Sequence, residues 1–147
     1  MLPKKRLPGL IQLMRFLGTQ WPSWSVTKNV PSGLTQTPFA ARNPFETWIA
    51  PRRHAAAFET VWAAEQNDLA MVLRSVLGRL HRTLDDPPFT LLLHSAPFAE
   101  VESPAFHWHF EIVPHLLPTS GFDGASGFPV NPLLPEDAAR FLREARG

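Results

Sequence analysis

The stretch Ala105-Phe106-His107-Trp108-His109-Phe110-Glu111-Ile112-Val113 decides how this chain folds. Side chains on a β-strand point alternately to opposite faces, so Phe106, Trp108, Phe110 and Ile112 form one apolar face. His107, His109, Glu111 and Val113 point the other way. A strand with this pattern rests one side on a core and leaves the other to line a site. Upstream, Phe89-Thr90-Leu91-Leu92-Leu93-His94 reads as a second strand, short, apolar and buried. From about 55 to 84 the residues Leu69, Val72, Leu73, Val76, Leu80 and Leu84 recur at three- and four-residue spacing, which predicts a helix. Asp85-Asp86-Pro87-Pro88 ends it, because proline cannot continue a helix. Further back, Phe45, Thr47 and Ile49 alternate with Glu46 and Trp48 in a short strand stopped by Pro51. Downstream, Pro135 opens a final helix with Glu136 and Asp137 near its positive end and Arg140, Arg143 and Arg146 towards its negative end. Ala138, Ala139 and Leu142 can face the core. Helices and paired strands in this order give an α+β fold, an antiparallel sheet packed against helices.

The rest of the sequence bounds this picture. At 147 residues and 16.5 kDa the chain suffices for one domain with a modest core. Sixteen prolines rule out long uninterrupted helices as the dominant element, and the absence of cysteine excludes disulfides and thiolate metal sites. A net charge of +1 gives no general case for nucleic acid or a membrane as partner. Charge is unevenly spread: Lys4, Lys5, Arg6, Arg15, Lys28 and Arg42 are accompanied by no acid before Glu46, whereas all 13 acids and no lysine follow. Residues 1–40 are therefore expected to form an irregular extension, with a short amphipathic helix over 10–17, and residues 41–147 the organised domain. Lys4-Lys5-Arg6 precedes an apolar run broken by Pro8, Gln12 and Arg15 with no small-residue cleavage site, which argues against secretion and for a cytoplasmic protein.

Three groups could carry chemistry. His107 and His109 lie two apart on one strand face, with α-carbons roughly 6.5 Å apart. Their imidazoles could converge on a metal such as zinc or iron, with His94 supplying a third nitrogen and Glu111 ligating or orienting from behind. His109 could instead be a nucleophile towards a phosphate, with His107 or Glu111 holding its tautomer; one lone pair cannot do both. Against both stands an ordinary solvated sheet face. The glycine-rich run 120–127 could present backbone N–H groups to an anion or serve as a turn, and Arg52-Arg53-His54 could meet phosphate or be a solvated turn.

The run Asn43-Pro44-Phe45-Glu46-Thr47-Trp48-Ile49-Ala50-Pro51-Arg52-Arg53-His54 resembles the P-F-E-T…P-x-x-H segment of galactose-1-phosphate uridylyltransferases. Leu93-His94-Ser95-Ala96-Pro97-Phe98, then His107-Trp108-His109, the loop Gly121-Phe122-Asp123-Gly124 and the helix at Pro135-Glu136-Asp137 continue the likeness in order. It covers roughly residues 40–147 and corresponds to the family's C-terminal half. The resemblance implies a histidine-triad type of fold and a place in UDP-glucose and galactose metabolism, where a histidine carries the uridylyl group to hexose 1-phosphate. It implies that His94, His107 and His109 match a divalent-metal site whose fourth ligand lies in the N-terminal half. It implies too that Phe122, Asp123 (where a glutamate is usual) and Asn131 help hold a hexose phosphate. The family's nucleophile sits in a His-Pro-His motif, and no such tripeptide occurs here. The expectation is a chain inactive alone, or a non-catalytic metal- or sugar-phosphate-binding module acting with another chain. Exposed surface around Trp48 and Trp108 is expected to favour a homodimer or pairing with a missing N-terminal half.

Overall fold

The computed structural model describes residues 33–116, 126 and 130–145. Strands β1 (Gly33–Gln36), β2 (Thr47–Pro51), β3 (Phe89–His94) and β4 (His109–Pro114) form one antiparallel sheet in the order β1-β2-β4-β3. Helix α1 (Ala63–Leu84) lies between β2 and β3 in the chain, and α2 (Pro135–Glu144) follows β4. The α+β architecture matches the one read from the sequence pattern.

Register fixes the two faces. Thr47 lies opposite Ile112, Ile49 opposite Phe110, and Leu91 opposite Ile112, so these side chains share one face. Against that face α1 packs Val72, Val76 and Leu80, one residue per turn, while α2 adds Ala139 and Leu142; with Ile49 and Ile112 they form the core. Arg79 of α1 donates from Nη1 to the carbonyls of Leu142 (2.8 Å) and Arg143 (3.3 Å). These are carbonyls the last turn of α2 cannot satisfy itself, so one cation caps the neighbouring helix.

Four expectations need correction. The sequence period predicts a helix from about Ala55, but α1 begins at Ala63. Ala55–57 are buried, and their backbone is used elsewhere: Ala55 O accepts from Trp108 N and Ala56 O from Ala96 N, both at 3.0 Å. Alanine favours a helix only where no longer-range partner claims its carbonyl. Second, strand pairing in the deciding stretch begins at His109, not Ala105, because Trp108 N is committed to Ala55. Third, residues 33–36 fall within the expected extension yet pair with β2 from Gly33↔Pro51 to Gln36↔Trp48. Four residues are too few to show a period, and the strand exists because β2 offers an edge. Fourth, β3 is not buried. It is an edge strand beyond the reach of the helices, with Phe89 46%, Leu91 40%, Leu92 42% and Leu93 43% exposed.

The final helix follows expectation, with Pro135 in its first turn, Glu136 and Asp137 beside it and Arg143 in the last turn. The helix expected over 10–17 and most of the glycine-rich loop, including Phe122 and Asp123, lie outside the described residues. No helix among the described residues is long and apolar enough to cross a membrane.

Candidate functional site

The sheet face turned away from the helices carries Trp48 from β2, His109 and Glu111 from β4 and His94 from β3. Trp48 lies opposite Glu111, and His94 opposite His109, so the four side chains are neighbours by register. Three of them form a pile of rings. Trp48 and His109 stack with centroids 4.7 Å apart and planes 25° from parallel; His109 and His94 stack at 4.6 Å and 16°.

Both ends of the pile are fastened. Glu46 is buried, and its carboxylate accepts from Trp48 Nε1 (3.1 Å), Arg42 N (2.8 Å) and Asn43 N (3.2 Å). Phe45 just before it has φ 60°, the left-handed turn that brings Glu46 back over Arg42 and Asn43. At the other end His94 Nε2 donates to Glu111 Oε2 at 2.8 Å. In the middle, His109 Nδ1 lies 3.0 Å from the His107 carbonyl. A carbonyl only accepts, so Nδ1 carries the hydrogen and Nε2 of neutral His109 keeps its lone pair.

His107 does not join this group. Its Nε2 donates to the Pro51 carbonyl at 2.9 Å, and its ring meets His54 edge-on at 5.2 Å. Burial is the main cause holding both His107 and His109 below the usual imidazole range. The hydrogen bond to Pro51 opposes this at His107, while His54, His109 and Arg53 reinforce it. At His109 the bond to the His107 carbonyl opposes it, His94 reinforces it, and Glu111 opposes it.

The three histidines expected to share a metal therefore do not converge: two are stacked and the third is turned towards the end of β2. An imidazole lone pair lies in its ring plane, and planes 16° from parallel, one ring above the other, do not meet at about 2.0–2.1 Å from both nitrogens. Among the described residues no three His, Cys, Asp or Glu side chains are placed to hold a metal ion. This arrangement does not fit the metal, and no chemistry is derived through one. Spacing puts His107 and His109 two residues apart, but each ring follows its own hydrogen bond, Nε2 of His107 to the Pro51 carbonyl and Nδ1 of His109 to the His107 carbonyl.

Asn131 is engaged structurally: its Nδ2 donates to Ala41 O (3.1 Å) and its Oδ1 accepts from Leu133 N (3.0 Å). Arg53 makes a two-bond pair with Glu65 (3.0 and 2.9 Å) and lies 4.3 Å over the Trp62 ring, so it is not held ready for phosphate. Trp48 is the site residue that the sequence pattern hides, since in the alternation it is merely the outward member of a short strand.

No family model matches the chain. It is 38% identical over 113 residues to an ADP-glucose phosphorylase of Arabidopsis thaliana, covering 76% of this chain and 32% of that protein. It is 33% identical over 119 residues to a galactose-1-phosphate uridylyltransferase of Thermotoga maritima, covering 76% of this chain and 37% of that one. The chain thus spans about a third of the length of these curated relatives. A solved Arabidopsis thaliana ADP-glucose phosphorylase with bound ADP-glucose superposes with a TM-score of 0.74 at 35% identity, over 79% of this chain and 38% of that one. A zinc-bound histidine triad family protein of Mycobacterium smegmatis has the same fold, with a TM-score of 0.63 at 16% identity over 91% of each chain. Fold and sequence agree: over about three quarters of its length this chain is similar in sequence to an ADP-glucose phosphorylase and to galactose-1-phosphate uridylyltransferases, and it shares the fold of histidine triad proteins.

Proposed function

We propose that this chain is the C-terminal, acceptor-side part of a cytoplasmic hexose-1-phosphate uridylyltransferase-like protein of UDP-glucose and galactose metabolism. By itself it binds a sugar nucleotide or hexose phosphate and does not turn it over. The observation that carries the reading is the pile of Trp48, His109 and His94 with Glu111 bound to its end. Aromatic surface beside a few fixed polar groups suits a phosphorylated sugar. The names of the relatives support the same substrate class. Lack of turnover rests on the missing His-Pro-His motif. By resemblance, Phe122 and Asp123 add contacts to the hexose phosphate; Asn131 shapes the neighbouring segment. The alternative, a sugar-phosphate-binding module that acts with another chain, shares the binding step. A metal would require His94 to leave Glu111 and His107 to leave the Pro51 carbonyl, and no step is assigned to it.

Calorimetric titration with ADP-glucose, UDP-glucose and galactose 1-phosphate tests binding, and conversion of UDP-glucose plus galactose 1-phosphate to UDP-galactose tests turnover. The expected result is saturable binding of at least one ligand, weakened about tenfold by Trp48→Ala, with no UDP-galactose formed. Turnover at enzymic rates overturns the claim of inactivity. A folded chain that binds none of the three overturns the reading as a whole.

One observation favours a second reading, in which His109 is a nucleophile: its Nδ1–H is tied to the His107 carbonyl, leaving the Nε2 lone pair for attack. Nε2 would form a bond to the nucleotide's α-phosphorus as the bond to the bridging oxygen breaks, the sugar phosphate departing with the electron pair. Intact-mass measurement at neutral pH after incubation with UDP-glucose decides this, since no added nucleotidyl mass on the protein removes the second reading.

A further inference from the structure

The expected exposed surface around Trp48 and Trp108 needs correction. Trp48 is half-covered within the ring pile, and Trp108, one residue before β4, is 2% exposed. Trp108 is well fastened except at one atom. Its backbone N–H donates to Ala55 O at 3.0 Å, and its ring meets those of Phe58 and Phe110 edge-on at 5.1 and 6.2 Å. Its indole Nε1–H is enclosed and has no hydrogen-bond partner among the described residues. A buried tryptophan N–H ordinarily finds an acceptor, because leaving it unpaired lowers the folding equilibrium constant about fivefold or more.

The cavity beside Trp108 offers one. It lies between the end of β2 and the first turns of α1, and its walls include Pro51, Glu65, Val72 and Trp108. The centre of a water molecule is free to move over about 10 Å³ of it, which is the least room that one water needs. The wall carries a second polar group. Glu65 is buried; its Oε2 accepts from Arg53 Nη2 (2.9 Å) and Trp62 N (3.0 Å), and its Oε1 accepts from Arg53 Nε (3.0 Å). Each carboxylate oxygen can accept two hydrogen bonds, so Oε1 keeps one place.

We propose that this cavity is a binding site for a single water molecule, which accepts from Trp108 Nε1–H and donates to Glu65 Oε1. An apolar hole of this size stays dry, but one with a donor on one wall and a carboxylate on another holds water. A cation does not suit it, since Trp108 presents a hydrogen and Glu65 is already paired with Arg53. Larger solutes exceed the space. The water ties the first turn of α1 to the residue that precedes His109, from the helix side of the sheet. The proposal does not rest on the chemistry assigned to the outer face.

The test uses the full chain labelled with 15N-tryptophan, the Trp108 signal being the one that Trp108→Phe removes. Its indole proton should show a cross-peak to water of opposite sign in laboratory-frame and rotating-frame Overhauser spectra, the mark of a held water rather than of hydrogen exchange. Trp62, 62% exposed, should show none of that kind. Stability gives an independent readout. Val72→Ile adds a methylene to the cavity wall, displaces the water and strands the indole N–H, so the folding equilibrium constant should fall about fivefold or more. In Trp108→Phe, which has no N–H to strand, the same substitution should change it by less than about twofold. An upfield indole proton without a water cross-peak would place the N–H against the Phe58 ring and overturn the proposal. So would a Val72→Ile protein more stable than wild type, which means a dry cavity being filled. Equal losses in both backgrounds mean overpacking and overturn it too.

Discussion

Glu46 is the residue on which the ring pile depends, and changing one of its atoms separates its two tasks. Its Oε2 accepts from Arg42 N and Asn43 N, closing the turn before β2, while Oε1 accepts from Trp48 Nε1 and fixes the indole. All three partners are donors. In Glu46→Gln the amide oxygen can keep the two backbone bonds, but the NH2 group then faces the indole N–H and cannot accept from it. One hydrogen bond is lost and two donors oppose each other, costing about 1–3 kcal/mol. Glu46→Ala strips all three donors of a buried partner and should cost about 3–5 kcal/mol. Urea unfolding measures both.

The functional consequence is read at His109. With Trp48 loosened, one face of the His109 ring loses its neighbour, and burial is what chiefly holds that imidazole low. In Glu46→Gln the His109 pKa should therefore rise towards the ordinary value of about 6.5, and its ring-proton NMR shift should move as the stacked indole current disappears. His81 is exposed on α1, remote from the pile, and serves as the internal control. A Glu46→Gln protein as stable as wild type, with His109 unmoved in shift and titration, refutes the idea that Glu46 holds the pile together.

Leu142 is fully buried between the helices, so Leu142→Ala should lower unfolding free energy by about 2–5 kcal/mol in urea denaturation. Asp85, at the end of α1, has φ 56° without being glycine; Asp85→Gly should raise the midpoint of thermal unfolding, a gain of about 0.5–1 kcal/mol. His107 and His109 take up protons less readily folded than unfolded, so the unfolded chain binds more protons as pH falls below about 6.5. Their contribution to stability is complete above that pH and is lost as pH drops through their depressed folded values; the slope of unfolding free energy against pH from 7.5 to 5 should be shallower in His107→Gln. An unchanged slope would mean that His107 is protonated as easily in the fold as out of it.

Most of the architecture is legible in the sequence because it follows from periods. Val72, Val76 and Leu80 repeat with the turn of a helix, and Trp108, Phe110 and Ile112 with the pleat of a strand, so each element and its buried face can be named from spacing alone. What spacing omits is how far each element reaches and what lies over it. Leu91 and Leu93 look like core in an apolar run, yet neither joins the core that the two helices cover. The same limit applied at the site. His94 and His109 were placed together by their strands, and register confirms them as facing residues, but whether two rings converge or stack depends on side-chain torsions that spacing does not encode. His107 is held by the Pro51 carbonyl at the end of β2, a partner that spacing along its own segment does not reveal. Glu46 and Trp48 act through a local turn with a left-handed Phe45, a conformation that a run of ordinary strand formers does not announce.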